Sequence, residues 1–293
     1  MQPTQVIIGY DFSAHSDVAL HQGLDIARRT YAHVTLVHAF VSGVGSRNAG
    51  ETHVTITGPW KAWCRREMRA RRAALVRVAA TAAPGIEVTP VVLAEDPAEA
   101  IIDVSGEVDA DLVVVGSHGR TGIRRALLGS VAEKVARRSP ATLVARTTEP
   151  SAGGYRRVLV PTDFSAAADR ALELATRLVH PVGQIDLLHC WRPPPWLPAN
   201  AARKLRESVT EDIVDQSIPR LARHNEGNYH LDFCHMEADA SDGIQRRLSD
   251  GIYQLVVMGG YGHNQLTRWF IGGVADATIR YSPCSVLVVR AGA

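Results

Sequence analysis

Short apolar runs alternate with longer amphipathic stretches along the whole chain, and this alternation predicts strand, helix, strand in repeating order. In the first half, runs at 5–10, 33–39, 86–93, 111–116 and 141–146 read as strands. The stretches between them, at about 15–30, 60–82, 97–107 and 129–138, read as helices. Leu112, Val113, Val114 and Val115 are apolar without a polar interruption, the pattern of a strand covered on both faces. Leu20, Leu24, Ala27 and Tyr31 keep helical spacing in the first helix, as do Leu172, Ala175 and Val179 in the second half. Strands that alternate with helices imply a parallel sheet with helices on both faces. The predicted fold class is therefore α/β: two tandem doubly wound five-stranded parallel sheets, whose ligands sit beyond the carboxyl ends of the strands.

The pattern occurs twice. GSHGRTGIRRALLGS at 116–130 reappears as GGYGHNQLTRWFIGG at 259–273, with glycines at positions 1, 4 and 14 of both blocks. QVIIGYDFS from Gln5 aligns with RVLVPTDFS from Arg157, and VTLVHAF (34–40) aligns with IDLLHCW (185–191). The offset is 152 at the aspartates Asp11 and Asp163, 151 at His38 and His189, and 143 from Ile101 onward, so the length difference falls in one connection. The segment TTEPSAGG (147–154) lacks periodicity and reads as a linker between domains at 1–148 and 154–293.

Composition narrows the function classes. A chain of 293 residues with 46% hydrophobic content can build a proper core in each half. Lys plus Arg total 32 against 30 for Asp plus Glu, so no global field favours nucleic acid or an anionic membrane. No apolar run approaches a membrane span and the first residues lack a signal-peptide pattern. Four cysteines without a CxxC pair suggest reduced thiols and a cytoplasmic setting. The strongest basic stretch is CRREMRARRAALVRV (64–78). Arg65, Arg69 and Arg72 share one helical face while Met68, Leu75 and Ala79 form an apolar seam, the arrangement of a solvated outer face. His189, Cys190, Cys234 and His235 fall on predicted neighbouring strands, but successive strand residues point to opposite faces, so no metal site is expected.

The chemistry concentrates where the first strand ends in an acid and the fourth in a glycine loop. Asp11 can accept hydrogen bonds from a ribose or base, and Gly116 and Gly119 let the chain approach phosphates closely. Gly129 and Ser130 open the next helix, whose free amides and dipole suit phosphate oxygens. Ser130 adds a hydroxyl, and Arg120 and His118 are further donors. Plainer readings stand beside these. The glycines can serve only a tight turn or close packing; the aspartates, like Ser13 and Ser165, can cap helices; His38 and His189 read first as satisfied core residues.

At these residues the chain resembles the universal stress protein family, in its ATP-binding branch with the pattern G-x2-G-x9-G-[ST], matched by Gly116, Gly119, Gly129 and Ser130. The TDFS and LLH stretches of the second copy and the turn Glu95-Asp96-Pro97 fit the same resemblance. It implies an adenine nucleotide alpha hydrolase-like fold and a regulatory or sensor protein of the stress response that binds ATP rather than acting as an enzyme. The implied contacts are Asp11, Ala39, Gly116, His118, Gly119, Arg120, Gly129, Ser130 and Val131. A divalent cation, Mg or Mn, is implied only through the phosphates.

The second copy departs from that pattern. Gly273 replaces the serine, Tyr261 replaces His118, His263 replaces Arg120, and Cys190 stands where the first copy has Ala39. Asp163, Cys190, Gly259, Gly262, Gly272 and Gly273 thus outline a second, weaker site. Two other readings remain open: a nucleotide-independent interaction or assembly module, and a weak ATP-hydrolysing enzyme, although no GxxxxGK[ST] loop is present. The apolar last strands at 141–146 and 285–290 are expected to pair the two domains within the chain, with association of two chains into a homodimer left open.

Overall fold

The computed structural model describes residues 3–41, 58–119, 128–146, 153–224, 227–260 and 271–290. The chain divides between Glu149 and Pro150 into two compact units. The first contains β1 (Gln5–Gly9), α1 (Ala14–Thr30), β2 (His33–Ala39), α2 (Gly58–Ala82), β3 (Val88–Leu93), α3 (Pro97–Glu107), β4 (Leu112–Gly116), α4 (Ser130–Arg138) and β5 (Ala141–Ala145). Its strands lie in the order β3-β2-β1-β4-β5, all parallel. Ile7, Ile8, Leu36, Leu112, Val113, Val114 and Leu143 are fully buried, as expected for strands covered on both faces.

Local sequence sets the helix ends. Ser13 caps α1 through a reciprocal box, its side chain accepting from the Ser16 amide and its own amide donating to Ser16 Oγ at 3.0 Å. Asp96 caps α3 by accepting from the amides of Ala98 and Glu99, with Pro97 in the first turn, where it forfeits no hydrogen bond. Two positions depart from the expected spacing. Tyr31 is not on the buried face of α1: it is the C-cap, in the left-handed region at φ 55°, and 93% exposed. Val179 is buried but opens a strand instead of closing a helix.

The second unit contains β6 (Tyr155–Thr162), α5 (Ala166–Leu178), β7 (Val179–Trp191), α6 (Ala199–His224), β8 (His230–Glu237), α7 (Ala240–Leu248), β9 (Leu255–Gly259), α8 (Gly273–Tyr281) and β10 (Ser285–Val289). The order β10-β9-β6-β7-β8 is the same permutation as in the first unit, again parallel throughout. β7 starts earlier than its apolar run suggests because Val179 already pairs with Tyr155, across a register shift before Arg157. Asp186 is buried near the start of this pairing and accepts from Tyr253 Oη, Gln184 Nε2 and the guanidinium groups of Arg157 and Arg247. The cluster satisfies a carboxylate that burial would otherwise penalise, and it lies at the amino ends of the strands, away from the cavities described next.

Candidate functional site

β1 sits between β2 and β4, so the chain leaves the carboxyl ends of β1 and β4 towards opposite sides and opens a crevice. A cavity of about 230 Å³ lies there, close to the lower end of small-molecule sites. Asp11, Ala39, Gly116, His118, Gly119, Gly129, Ser130 and Val131 all line it. Arg120 lies outside the described residues.

Asp11 is held by the turn that follows β1. Its Oδ1 accepts from the Ser13 amide at 3.1 Å, and Phe12 between them takes a left-handed φ of 63°. Its Oδ2 lies 3.0 Å from where a Cβ on Gly119 would project, so one oxygen organises the turn and the other faces the glycine loop. Ser13, not Asp11, is the helix cap.

The glycines divide by role. A Cβ on Gly116 would lie 2.8 Å from the carbonyl oxygen of His15 and 2.9 Å from its carbonyl carbon. The missing side chain of Gly116 lets α1 pack against the end of β4, and the same residue lines the cavity. Gly129 packs against Ser117, and its amide donates to the Ser117 carbonyl at 2.9 Å, so that amide is not open to a ligand. The next three amides are different. The first helical bond of α4 runs from Glu133 N to Gly129 O at 3.0 Å, and the amides of Ser130, Val131 and Ala132 have no partner among the described residues. All three residues line the cavity, and the dipole of α4 adds roughly half a positive charge there.

Two histidines stand near this cradle. Ser117 Oγ is 3.1 Å from His118 Nδ1, and the His118 ring lies 5.2 Å from that of His15. His38 is different: it is buried, with Nδ1 2.7 Å from the Tyr10 carbonyl and Nε2 3.0 Å from an Arg71 nitrogen. A carbonyl only accepts and a guanidinium only donates, so these partners place the ring proton on Nδ1 and leave the imidazole neutral. His38 is a core residue, and the half-buried His189 repeats its main-chain bond, with Nδ1 2.8 Å from the Thr162 carbonyl. Burial, and then the bond to Asp17, push the Tyr10 hydroxyl well above the usual tyrosine range, so it stays protonated.

The second unit repeats the main chain of this arrangement around a cavity of about 190 Å³ lined by Asp163, Cys190, Gly259, Gly272 and Gly273; Gly262 lies outside the described residues. Ser165 N donates to Asp163 Oδ1 at 3.0 Å across Phe164 at φ 61°, and Gly272 N donates to the Gly260 carbonyl at 2.8 Å. The amides of Gly273, Val274 and Ala275 open α8 without partners among the described residues. Cys190 does not simply crowd the opening. Its Sγ lies 2.4 Å from where a Cβ on Gly243 would be, so a glycine on α7 makes room for the thiol. Burial pushes that thiol up to about 11, leaving it protonated near neutral pH.

Several lining residues escaped the sequence reading: Gly9, Tyr10, Ser16, Val37, Pro97, Ile101, Val115 and Ala132. Ser16 was hidden by its role as capping partner of Ser13. Pro97 and Ile101 carried a signal, since they follow Asp96, whose counterpart Asp239 opens the corresponding helix of the second copy. Among the described residues no group of three or more His, Cys, Asp or Glu could hold a metal ion. No helix among them is long and apolar enough to cross a membrane.

With this geometry in view, comparison with known proteins gives a consistent result. The model of the universal stress protein family matches residues 4–145 and again 154–290. A universal stress protein of Mycobacterium tuberculosis is 26% identical over 295 residues, covering 97% of this chain and 96% of that protein. The structure of a universal stress protein from Archaeoglobus fulgidus covers 100% of both chains with a TM-score of 0.66 at 21% identity. A putative universal stress protein from Pseudomonas aeruginosa covers 98% of this chain and 93% of its own, with a TM-score of 0.61 at 15% identity. At those identities the two structures speak for the fold.

Proposed function

The chain belongs to the universal stress protein family, and from that premise we propose that it is an ATP-binding regulatory protein of the stress response, with the nucleotide held in its first unit. The family supports the stress-response role and a binding rather than a catalytic character. The nucleotide assignment rests on one observation: three open amides of α4 line the same cavity as Asp11 and Ala39, at the switch point of a doubly wound sheet.

The residues present fit an adenine nucleotide. The amides of Ser130, Val131 and Ala132 would take phosphate oxygens, and Ser130 Oγ would add a fourth donor. Asp11 Oδ2 would accept from the ribose or base, against the small wall of Ala39. ATP supplies a polyanion whose binding reports cellular energy state; the protein supplies orientation and donors. A Mg or Mn ion would be held through the phosphates, since the described residues form no carboxylate or imidazole cluster of their own. The second unit offers the amides without the serine and would hold nucleotide more weakly.

Calorimetric titration of ATP into the full chain, with mass analysis of any ligand released on denaturation, tests the assignment. Saturable binding that weakens about tenfold in Ser130→Gly is expected, since a hydrogen bond to a charged oxygen contributes about 1.5 kcal/mol or more. Neither heat nor released nucleotide in the wild-type chain would leave the family fold standing and remove the nucleotide from it.

A further inference from the structure

Among the described residues, four helices besides α2 and α6 pair surface charges within the helix. Asp25 with Arg29 in α1, Glu133 with Arg137 in α4, Glu173 with Arg177 in α5 and Asp276 with Arg280 in α8 are all i,i+4 ion pairs. The long helices α2, which holds one such pair in Glu67 and Arg71, and α6 also carry runs of like charge. On α2, which packs against β2 and β3, Arg65, Arg66, Arg69, Arg72 and Arg77 are exposed and make no ion pair or hydrogen bond among the described residues. On α6, which packs against β8 and α5, the exposed acids Glu207, Glu211, Asp212 and Asp215 begin one turn after the exposed Arg203 and Lys204 and make no ion pair or hydrogen bond among the described residues. Like charges three and four residues apart repel each other, so each face is unfavourable as it stands.

The two faces also match in spacing. Arg65, Arg69, Arg72 and Val76 fall at positions i, i+4, i+7 and i+11 of one face of α2; Glu207, Glu211, Val214 and Ile218 fall at the same intervals on α6. Val76 is 46% exposed, Val214 41% and Ile218 55%, so each charged face ends in aliphatic surface open to solvent. We propose that the basic face of α2 in one chain docks side by side, in the same direction, with the acidic face of α6 in a second copy. Arg65 and Arg69 then meet Glu207 and Glu211, Arg72 falls opposite Val214 with Asp215 the next residue along, and Val76 packs on Ile218. The opposite direction would set Val76 against Glu207 and Ile218 against Arg65. Arginines alone would suit any polyanion; a second copy is favoured because the same chain carries the complementary acids at the same intervals, with aliphatic groups at the matching end. The formal net charge of +2 leaves no strong field to keep copies apart.

The experiment uses three full-length proteins: wild type, an α2 variant (Arg65→Glu, Arg69→Glu, Arg72→Glu) and an α6 variant (Glu207→Arg, Glu211→Arg, Asp215→Arg), each checked for fold by circular dichroism. Sedimentation velocity at low ionic strength should show wild type associating and the contact weakening as salt is added. Each variant alone, with both faces of one sign, should lose about tenfold or more in association constant. Mixed one to one, the two variants should associate again, because the arginine face of the second meets the acidic face of the first. Association unchanged by either triple reversal overturns the proposal, as does a mixture no heavier than its components. So does an α2 variant that loses binding to a polyphosphate or oligonucleotide while its mass distribution matches wild type.

Discussion

At the carboxyl ends of β1 and β4 the first unit surrounds its cavity with Tyr10, Asp11, Ser16, His118 and Ser130; in the second, Thr162, Asp163, Ala168 and Gly273 occupy the aligned positions that are described. The main chain hardly differs. Both units hold a phenylalanine in the left-handed region between the aspartate and the capping serine, at φ 63° and 61°. Both also tie the helix-opening glycine back to the strand-end loop with an amide bond of 2.8 to 2.9 Å. A left-handed non-glycine residue costs roughly 1–2 kcal/mol, so its recurrence indicates a turn that the surrounding packing enforces. The cradle thus belongs to the fold and is copied with it, whereas polarity rides on a few side chains that the second copy has lost.

The largest expected effect strikes the shared frame. Gly116→Ala forces a methyl group against the backbone of His15, which cannot rotate away, and overpacking of this kind costs about 1–3 kcal/mol. Gly259→Ala meets Ala167 at 3.0 Å from its Cβ and 3.2 Å from its carbonyl carbon, a milder overlap. Urea denaturation followed by unit-specific peptides in hydrogen exchange should show the first unit losing more than the second. Equal losses would mean that α1 and α5 crowd the two frames alike despite the difference in overlap.

A smaller effect, about 1–2 kcal/mol, separates the units at the second strand. Gly243→Ala collides with Cys190 Sγ, while Cys190→Ala combined with Gly243→Ala recreates the Ala39 and Ala100 pairing of the first unit. The double variant should recover most of the stability lost in Gly243→Ala, a coupling read from a double-mutant cycle. Additive losses would show that the glycine answers to something other than the thiol.

Next comes the serine. Nothing lies within 4 Å of a Cβ built on Gly273, so Gly273→Ser adds a hydroxyl without strain. Nucleotide affinity of the second unit should rise by up to about tenfold, measured by titration in a Ser130→Gly background that mutes the first. No gain would mean that the main chain alone governs phosphate affinity in both copies.

Much of this comparison was legible before any coordinates. The apolar runs located the strands of the first unit, and the offset between copies fixed which residues correspond, because buried parallel strands leave little freedom in pattern or spacing. Direction and contact were not legible. That Gly116 accommodates α1, or that Gly243 makes room for Cys190, depends on which atoms approach from elements distant in sequence. Tyr31 shows the same limit. Its spacing fits the helical face, yet the chain turns left-handed at that residue and sends the ring into solvent.

The mildest difference between the units lies in their response to acid. Burial, outweighing the bond to the Thr162 carbonyl, holds His189 below the ordinary histidine range, and burial followed by the neighbouring Arg223 does the same to His224. Both belong to the second unit. A histidine lowered on folding is neutral in the native state but takes up a proton in the unfolded chain once pH falls to about 6.5. The unfolded state then binds more protons, so stability declines as pH drops from about 6.5 towards the lowered native value, and is unaffected by these groups well above it. Protection factors across β6 and β7, taken relative to the intrinsic exchange rate at each pH, should therefore fall between pH 7.5 and pH 5, and His189→Gln should flatten that dependence while leaving the His224 share. A slope that survives unchanged in His189→Gln would assign the acid sensitivity elsewhere and strip the second unit of this distinction.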